Sequence, residues 1–259
     1  MGKLTFLGTS DAQGVPRLLC SCRVCQSKNT LNVRKRPSVL LETKDCNVLI
    51  DISPDFRSQF IEYVNNSIPD IVLITHCHHD HIGGLGDYAD LCFWNNKNTK
   101  IVSPPENIDS LKQRFPYLIN RRGLSFVSSF NYLVEDWKVT FHKVNHGFNG
   151  YSYGILFEKY KVKWAYLSDA FNLNEQQFEP FYNCDLLILG TSYWKEIADH
   201  SRRSVYDVQE AIKLKDNLNI SRLILTHLSH DIDLSEHNKL LPHNVEFAYD
   251  GMKLPLVFN

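Results

Sequence analysis

Apolar residues fall along this chain in short alternating stretches or in unbroken blocks of four or five, divided by turn-forming residues. Alternating stretches read as half-buried strands, and unbroken blocks rich in β-branching read as strands buried on both faces. The plainest block is Ile71-Val72-Leu73-Ile74. The chain enters its first strand directly at the N-terminus. Residues 38–43 and 46–51 form two more strands, turning at Lys44-Asp45, and residues 100–102 another. Two or three strands lie within 124–141, turning at Glu135-Asp136, and strands at 151–157 and 162–167 flank a second turn. Residues 185–189 and 222–226 read as buried strands, and 253–258 as the closing one. Helical spacing appears between them: from Ser53-Pro54 through Phe56, Phe60, Ile61 and Val64, then at 87–93, 106–115, 174–182, 204–218 and 235–241. With no compositional break and no repeat at fixed period, residues 1–259 read as one α/β domain.

The block at 71–74 runs into Thr75-His76-Cys77-His78-His79-Asp80-His81, followed by Ile82-Gly83-Gly84-Leu85. This is a strand-to-helix turn at the carboxyl end of a central strand, where open α/β sheets place their ligands. In extended backbone His76, His78 and Asp80 point one way, and His81 needs a turn to rejoin them. Two imidazoles can then hold one divalent metal, while Asp80 and His81 hold a second beside it. Nearer the N-terminus, Cys20-Ser21-Cys22-Arg23-Val24-Cys25 has the C-x-C-x2-C spacing that lets three thiolates fold around one tetrahedral zinc. The alternative is three thiols with no metal.

Composition narrows the classes. With 259 residues, 43% of them hydrophobic, the chain can bury a large core. Lys+Arg 28 against Asp+Glu 29 is not the basic balance of a protein built to grip nucleic acid. No apolar run approaches the roughly 20 residues of a membrane span. The N-terminus has no apolar core of a signal peptide, and Phe6 stands where a myristoylation motif requires Ser or Thr. A cytoplasmic protein is expected, in which seven cysteines serve as thiols or metal ligands instead of disulfides.

The His-x-His-x-Asp-His pattern at 76–81 resembles that of the metallo-β-lactamase superfamily, and the resemblance runs the length of the chain. It implies a four-layer αβ/βα sandwich, where periodicity alone gives only mixed α and β. It also implies further ligands. His146, in Val144-Asn145-His146-Gly147, would complete the first metal site with His76 and His78. Asp169, closing Trp164-Ala165-Tyr166-Leu167-Ser168-Asp169, would bridge both metals, and His227, closing Leu223-Ile224-Leu225-Thr226-His227, would complete the second. Asp51 matches a buried acid that orients a ligating histidine from behind, although its position also suits a cap for the helix at Ser53-Pro54. The three cysteines together with His230 resemble the PhnP-like cyclic phosphodiesterases of the bacterial carbon–phosphorus lyase pathway, in which this quartet holds a structural zinc. The opening at residues 8–16, the Tyr-Leu-Ser-Asp segment and the Leu-Thr-His-x-Ser-His segment match as well. His200, by itself an ordinary surface histidine, falls where PhnP-like enzymes and transfer-RNA 3′-processing nucleases keep one that assists phosphoryl chemistry.

The resemblance thus implies a metal-dependent phosphodiesterase for small cyclic phosphodiesters, of the ribose 1,2-cyclic phosphate or 2′,3′-cyclic nucleotide type. Two divalent ions (zinc or manganese, with iron compatible), less Asp80, Asp169 and a shared hydroxide, leave about +1 to attract an anionic diester. The hydroxide would attack phosphorus. Asp80 and His200 are the catalytic side chains, His200 donating to the leaving oxygen or holding a phosphoryl oxygen. Arg202 and Arg203 can help hold phosphate, although adjacent side chains rarely face the same way. The expected partner is a small anionic phosphodiester, with no membrane and no extended nucleic acid; a homodimer stays open. Three other classes share the ligands: a transfer-RNA 3′-processing nuclease, whose long RNA-gripping arm has no counterpart here, a thiolester hydrolase, and a non-catalytic binding relative.

Overall fold

Alternation within the strands decides how the chain layers. Leu4 and Phe6 turn to one side of the first strand and Leu7 to the other; Val48 and Ile50 oppose Leu49, and Ile71 and Leu73 oppose Val72. Strands apolar on both faces require cover on both. The computed structural model describes residues 2–64 and 67–256. Its first half supplies β1 (Gly2–Gly8), β2 (Ser38–Glu42), β3 (Asn47–Ile50), β4 (Ile71–Leu73), β5 (Thr99–Ser103) and β6 (Leu124–Ser128). Its second half supplies β7 (Asn131–Val134), β8 (Trp137–Asn145), β9 (Tyr151–Lys159), β10 (Val162–Leu167), β11 (Leu186–Gly190), β12 (Arg222–Thr226), β13 (Val245–Phe247) and β14 (Lys253–Leu256).

These form two seven-stranded sheets, in the orders β14-β1-β2-β3-β4-β5-β6 and β13-β12-β11-β10-β9-β8-β7. Each sheet is antiparallel at one end and parallel at the other, the change falling at β3 in one and β10 in the other. Parallel neighbours need crossovers. Helices α1 (Phe56–Tyr63), α2 (His79–Ile82), α3 (Leu85–Trp94) and α4 (Pro105–Arg114) supply them for the first sheet. Helices α5 (Glu175–Phe178), α6 (Val208–Asn217) and α7 (Leu234–His237) supply them for the second. One apolar cluster fills the space between the sheets, where Phe157 stacks on Trp164 with ring centroids 3.9 Å apart. Two others lie between each sheet and its helices. The result is the four-layer αβ/βα sandwich of the metallo-β-lactamase type. No helix among the described residues is long and apolar enough to cross a membrane.

Several boundaries differ from those predicted, each for a local reason. The helix predicted from Ser53-Pro54 starts at Phe56, with Asp55 at its N-cap. The helix predicted from residue 204 starts at Val208, because Asp207 and Glu210 close a reciprocal capping box. Residues 174–182 give only α5 and a 3₁₀ turn containing Pro180, which has no N–H to continue the ladder. Strand β13 has no predicted counterpart, since three residues are too few to show a period. The closing strand is described to Leu256; residues 257 and 258, also predicted in it, lie outside the described residues.

The second sheet is closely set where the site will lie. A Cβ at Gly190 would fall 1.6 Å from the Ser168 carbonyl oxygen and 3.2 Å from His227 Cβ. Gly190→Ala must therefore push β11 away from β10 beside Asp169. Overpacking of this kind costs about 3 kcal/mol, which at this size lowers Tm by roughly 6–12 °C. Thermal denaturation monitored by circular dichroism checks this, and an unchanged Tm would contradict the packing.

Candidate metal centre

The carboxyl ends of β3, β4, β8, β10 and β12 meet at one edge of the sandwich, and each is followed by a polar residue: Asp51, the 76–81 segment, His146, Asp169 and His227. After β4 the backbone is extended as far as His78 (φ −73°, ψ 154°) and then coils into α2. Extended alternation accounts for His76 and His78. It does not account for Asp80, which reaches the cluster from a helical turn together with His81.

Three of the imidazoles, His76, His81 and His146, are anchored through one nitrogen and present the other. His76 Nδ1 donates to Thr75 Oγ1 (3.0 Å), whose hydroxyl donates to Asp51 Oδ2 (2.8 Å). His81 Nδ1 donates to the same Asp51 oxygen at 2.7 Å, and His146 Nδ1 to the Ser204 carbonyl at 2.7 Å. The free nitrogens of His76, His78 and His146 form one group, with His76 Nε2 2.9 Å from His78 Nδ1. Asp80, His81 and His227 form the other, with His81 Nε2 3.1 Å and His227 Nε2 3.5 Å from Asp80 Oδ2. Asp169 lies between them: Oδ1 is 3.5 Å from His146 Nε2 and 3.3 Å from His227 Nε2, and Oδ2 is 3.0 Å from His81 Nε2.

These residues fit a pair of cations. Buried polar atoms are as a rule hydrogen-bonded, yet His81 Nε2, Asp169 Oδ2 and both His227 ring nitrogens make no hydrogen bond. Their spacing is close to the roughly 3.4 Å that separates ligands on one tetrahedral ion. Burial pushes the His76, His78 and His146 imidazoles below their ordinary value, which leaves lone pairs free. Burial works against charge on Asp80 and Asp169, but His81 beside the first and His227 and His81 beside the second hold both carboxyls well below the usual range. Two ionised carboxylates in a nearly sealed site call for positive charge there. Backbone strain marks the same place: Asp51 (φ 60°) and His227 (φ 59°) both sit in the left-handed region, at a cost of order 1–3 kcal/mol each. Asp51 makes no cap for α1; its oxygens are taken by His81 and by the Thr75 N–H and hydroxyl.

The second candidate site lies behind the first. Cys20, Cys22 and Cys25 place their sulfurs 3.2, 3.6 and 3.5 Å from His230 Nδ1. A tetrahedral zinc with these ligands has S···N edges of roughly 3.5 Å. The Cys25 N–H donates to Cys22 Sγ and holds that thiol below its ordinary value. The preceding loop is stitched to the end of β12, Leu228 N donating to Thr9 O at 2.8 Å.

A cleft of about 370 Å³ opens over the cluster, floored by His78, Asp80, His146, Asp169 and His227 and walled by Asp11, Gln13, Arg17, Asn149, Tyr193 and Arg202. His200 is not among the residues lining it. Its exposed ring rests on Phe171, with centroids 4.6 Å apart, so the resemblance-based catalytic role meets a side chain at the rim. Both neighbouring arginines line the cleft: Arg203 is held by Glu210 and lies over the Phe171 ring, whereas Arg202 has no ion pair among the described residues. Sequence reasoning missed Arg17 and Tyr193, which belong to no motif, and the Ser204 carbonyl, which every residue type possesses.

A two-sheet αβ/βα sandwich with this cluster at its edge defines a metallo-β-lactamase-fold hydrolase. The model of the β-lactamase superfamily domain matches residues 46–228, and the chain belongs to that superfamily as a PhnP-like member. The crystal structure of a diphosphatase from the PhnP family is 28% identical, with a TM-score of 0.87 over 98% of this chain and 96% of that one. An octanoyltransferase of Porphyromonas gingivalis is 30% identical over 263 residues, 96% of this chain. The chain spans only about half (50%) of that relative's length. Zinc-bound PqqB from Methylobacterium extorquens shares the fold, with a TM-score of 0.79 at 17% identity over 98% of this chain and all of that one (100%). The fold family binds divalent metals such as zinc, and the His/Asp groups here have the donors to do so.

Because Asp51 fixes His81 and, through Thr75, His76, Asp51→Asn should weaken metal binding ~10–100-fold without removing a ligand. Competition with a chromophoric chelator measures the affinity. Wild-type affinity in the variant would deny Asp51 this orienting role.

Proposed function

We propose that this protein hydrolyses small phosphodiesters, in particular cyclic ones of the ribose 1,2-cyclic phosphate or 2′,3′-cyclic nucleotide type. The observation that carries the reading is the cleft itself: ligand atoms left unsatisfied at its floor and guanidinium groups of Arg17 and Arg202 on its walls. An anionic phosphoryl group is complementary to both. His76, His78 and His146 would hold one divalent ion and Asp80, His81 and His227 the other, with Asp169 shared. Zinc, manganese and iron all suit this mixed donor set. Such ions supply Lewis acidity to phosphoryl oxygens and lower the pKa of water at the site.

The remaining work falls to the chain. Asp80 and Asp169 keep the floor ionised, and Asp51, Thr75 and the Ser204 carbonyl keep the imidazoles aimed. Arg202 takes an outer phosphoryl oxygen. His200 can protonate a leaving oxygen only on a substrate long enough to reach the rim. Cys20, Cys22, Cys25 and His230 would hold a structural zinc, and seven free thiols accord with a cytoplasmic setting. The cleft volume and the balanced net charge of −1 favour a small substrate over extended nucleic acid.

A second reading, hydrolysis of an acyl thioester, is favoured by the octanoyltransferase likeness over 96% of this chain. The same ligand set would serve it, but the arginines would then face no anion at the reacting centre.

Turnover of cyclic and linear phosphodiesters, diphosphates and acyl thioesters, with zinc, manganese and iron loaded separately, tests the reading. Hydrolysis of 2′,3′-cyclic nucleotides is expected; turnover of the thioesters alone would replace it with the second. Asp169→Ala should lose bound metal and activity together, and near-wild-type turnover by that variant would sink the dinuclear site. His200→Ala should slow poorly activated diesters more than nitrophenyl esters, with metal content unchanged. Equal slowing of both would instead assign His200 to binding, and no slowing would leave it a surface residue.

A further inference from the structure

His227 is held differently from its neighbours in the cluster. His76, His81 and His146 each give one ring nitrogen to a fixed acceptor. In His227, Nε2 faces Asp80 and Asp169, and the buried Nδ1 has no hydrogen-bond partner. A ligating imidazole is ordinarily aimed by whatever its second nitrogen binds. His227 has only its backbone for this, and that backbone is in the left-handed region (φ 59°). Such a conformation persists where the surrounding structure enforces it.

The segment after His227 is gripped by Arg34, a guanidinium 2% exposed. Its Nη2 donates to the carbonyls of Ser229 (2.8 Å) and Ile232 (3.0 Å), which open and close the turn that follows β12. Its Nη1 donates to Leu31 O (3.3 Å) and Asn32 Oδ1 (3.2 Å). All four acceptors are neutral. The acids whose charge reaches it are engaged elsewhere: Asp11 with Arg17, Asp233 with Arg23, and Asp250 with the Thr9 hydroxyl and the Lys35 N–H. Burial pushes the guanidinium down to about 10, so it stays charged at neutral pH. A buried cation with no carboxylate is a poor way to gain stability. It is a good way to fix geometry, because one rigid fork holds several acceptors at set angles. The backbone of Arg34 pairs with Val15 in both directions, at 2.7 and 2.9 Å. One residue thus joins the turn behind His227 to the loop that carries Asp11 and Gln13 along the cleft wall. On the near side of the turn, the Leu228 and Ser229 N–H groups are taken by the Thr9 and Ser192 carbonyls.

We propose that Arg34 is the positioning residue for His227. Its guanidinium fixes the turn after β12, and through that backbone it sets the direction of an imidazole that no side chain anchors. Arg34 does for His227 what Asp51 does for His81, acting through the main chain. The inference holds for any substrate the cleft takes, so failure of the phosphodiesterase reading would leave it standing.

Nitrogen-15 spectra of the histidines in reduced, metal-free protein give the first test. Arg34→Met should move the His227 ring signals and leave those of His76, His81 and His146 in place. Zinc titration in competition with a chromophoric chelator gives the second, with the same histidine signals assigning each ion to its group. The ion at Asp80, His81 and His227 should be held about tenfold more weakly, and the ion at His76, His78 and His146 as before. Phe157→Leu, which opens a gap between the sheets, should lower Tm with neither effect. That control separates positioning from a general loss of stability. If Arg34→Met does not fold, Arg34→Lys decides: it keeps the stem and the charge, but one ammonium lacks the fork that spans these carbonyls. Unmoved His227 signals, equal weakening of both ions, or a loss confined to the cysteine quartet would overturn the proposal.

Discussion

The arrangement depends on two carboxylates, Asp80 and Asp169, held ionised where almost no solvent reaches them. A buried negative charge without a partner is among the most unfavourable things a fold can contain. The surrounding residues can be understood as the answer to it. His76, His81 and His146 are turned so that a protonated nitrogen faces a fixed acceptor and a bare nitrogen faces inward. Asp51 then holds two of those imidazoles at once, directly for His81 and through the Thr75 hydroxyl for His76. Strained backbone at Asp51 and His227 is tolerated because it delivers side chains to this point.

This requirement also explains the architecture's division of labour. The sheets hold few polar groups between them and place the polar ones where strands end. The first half of the chain delivers Asp51, His76, His78, Asp80 and His81, and the second delivers His146, Asp169 and His227. Neither half alone can satisfy the two carboxylates. Gly190 shows how tightly the second half is set for the task, since not even a methyl group fits between it and the Ser168 carbonyl.

Strand positions could be read from apolar blocks because sheet burial imposes a period of two or none at all. Helix starts were harder, as at Asp207, where a capping box decides against residues of acceptable helical propensity. The three residues of β13 carry too little pattern to be recognised. In the site, the 76–81 motif could be read since strand, turn and glycines constrain one another locally. His146, Asp169 and His227 needed the family likeness, because a single histidine or aspartate at a strand end carries no spacing. Arg203 and His200 show the limit, since their contacts with Glu210 and Phe171 are encoded by no local pattern.

Strand β14 lies against β1, although more than two hundred residues separate them in the chain. During synthesis β1 emerges well before β14 and waits with one edge unpaired while the strands between them are produced. An unpaired edge is a template for pairing with other chains. The cysteines wait in the same way for His230, which also comes late. The second sheet draws on consecutive strands and has no such delay. Its members can assemble as they emerge, whereas the first sheet is sealed last. The nascent protein is therefore most vulnerable to association through the free edge of β1, until β14 leaves the ribosome.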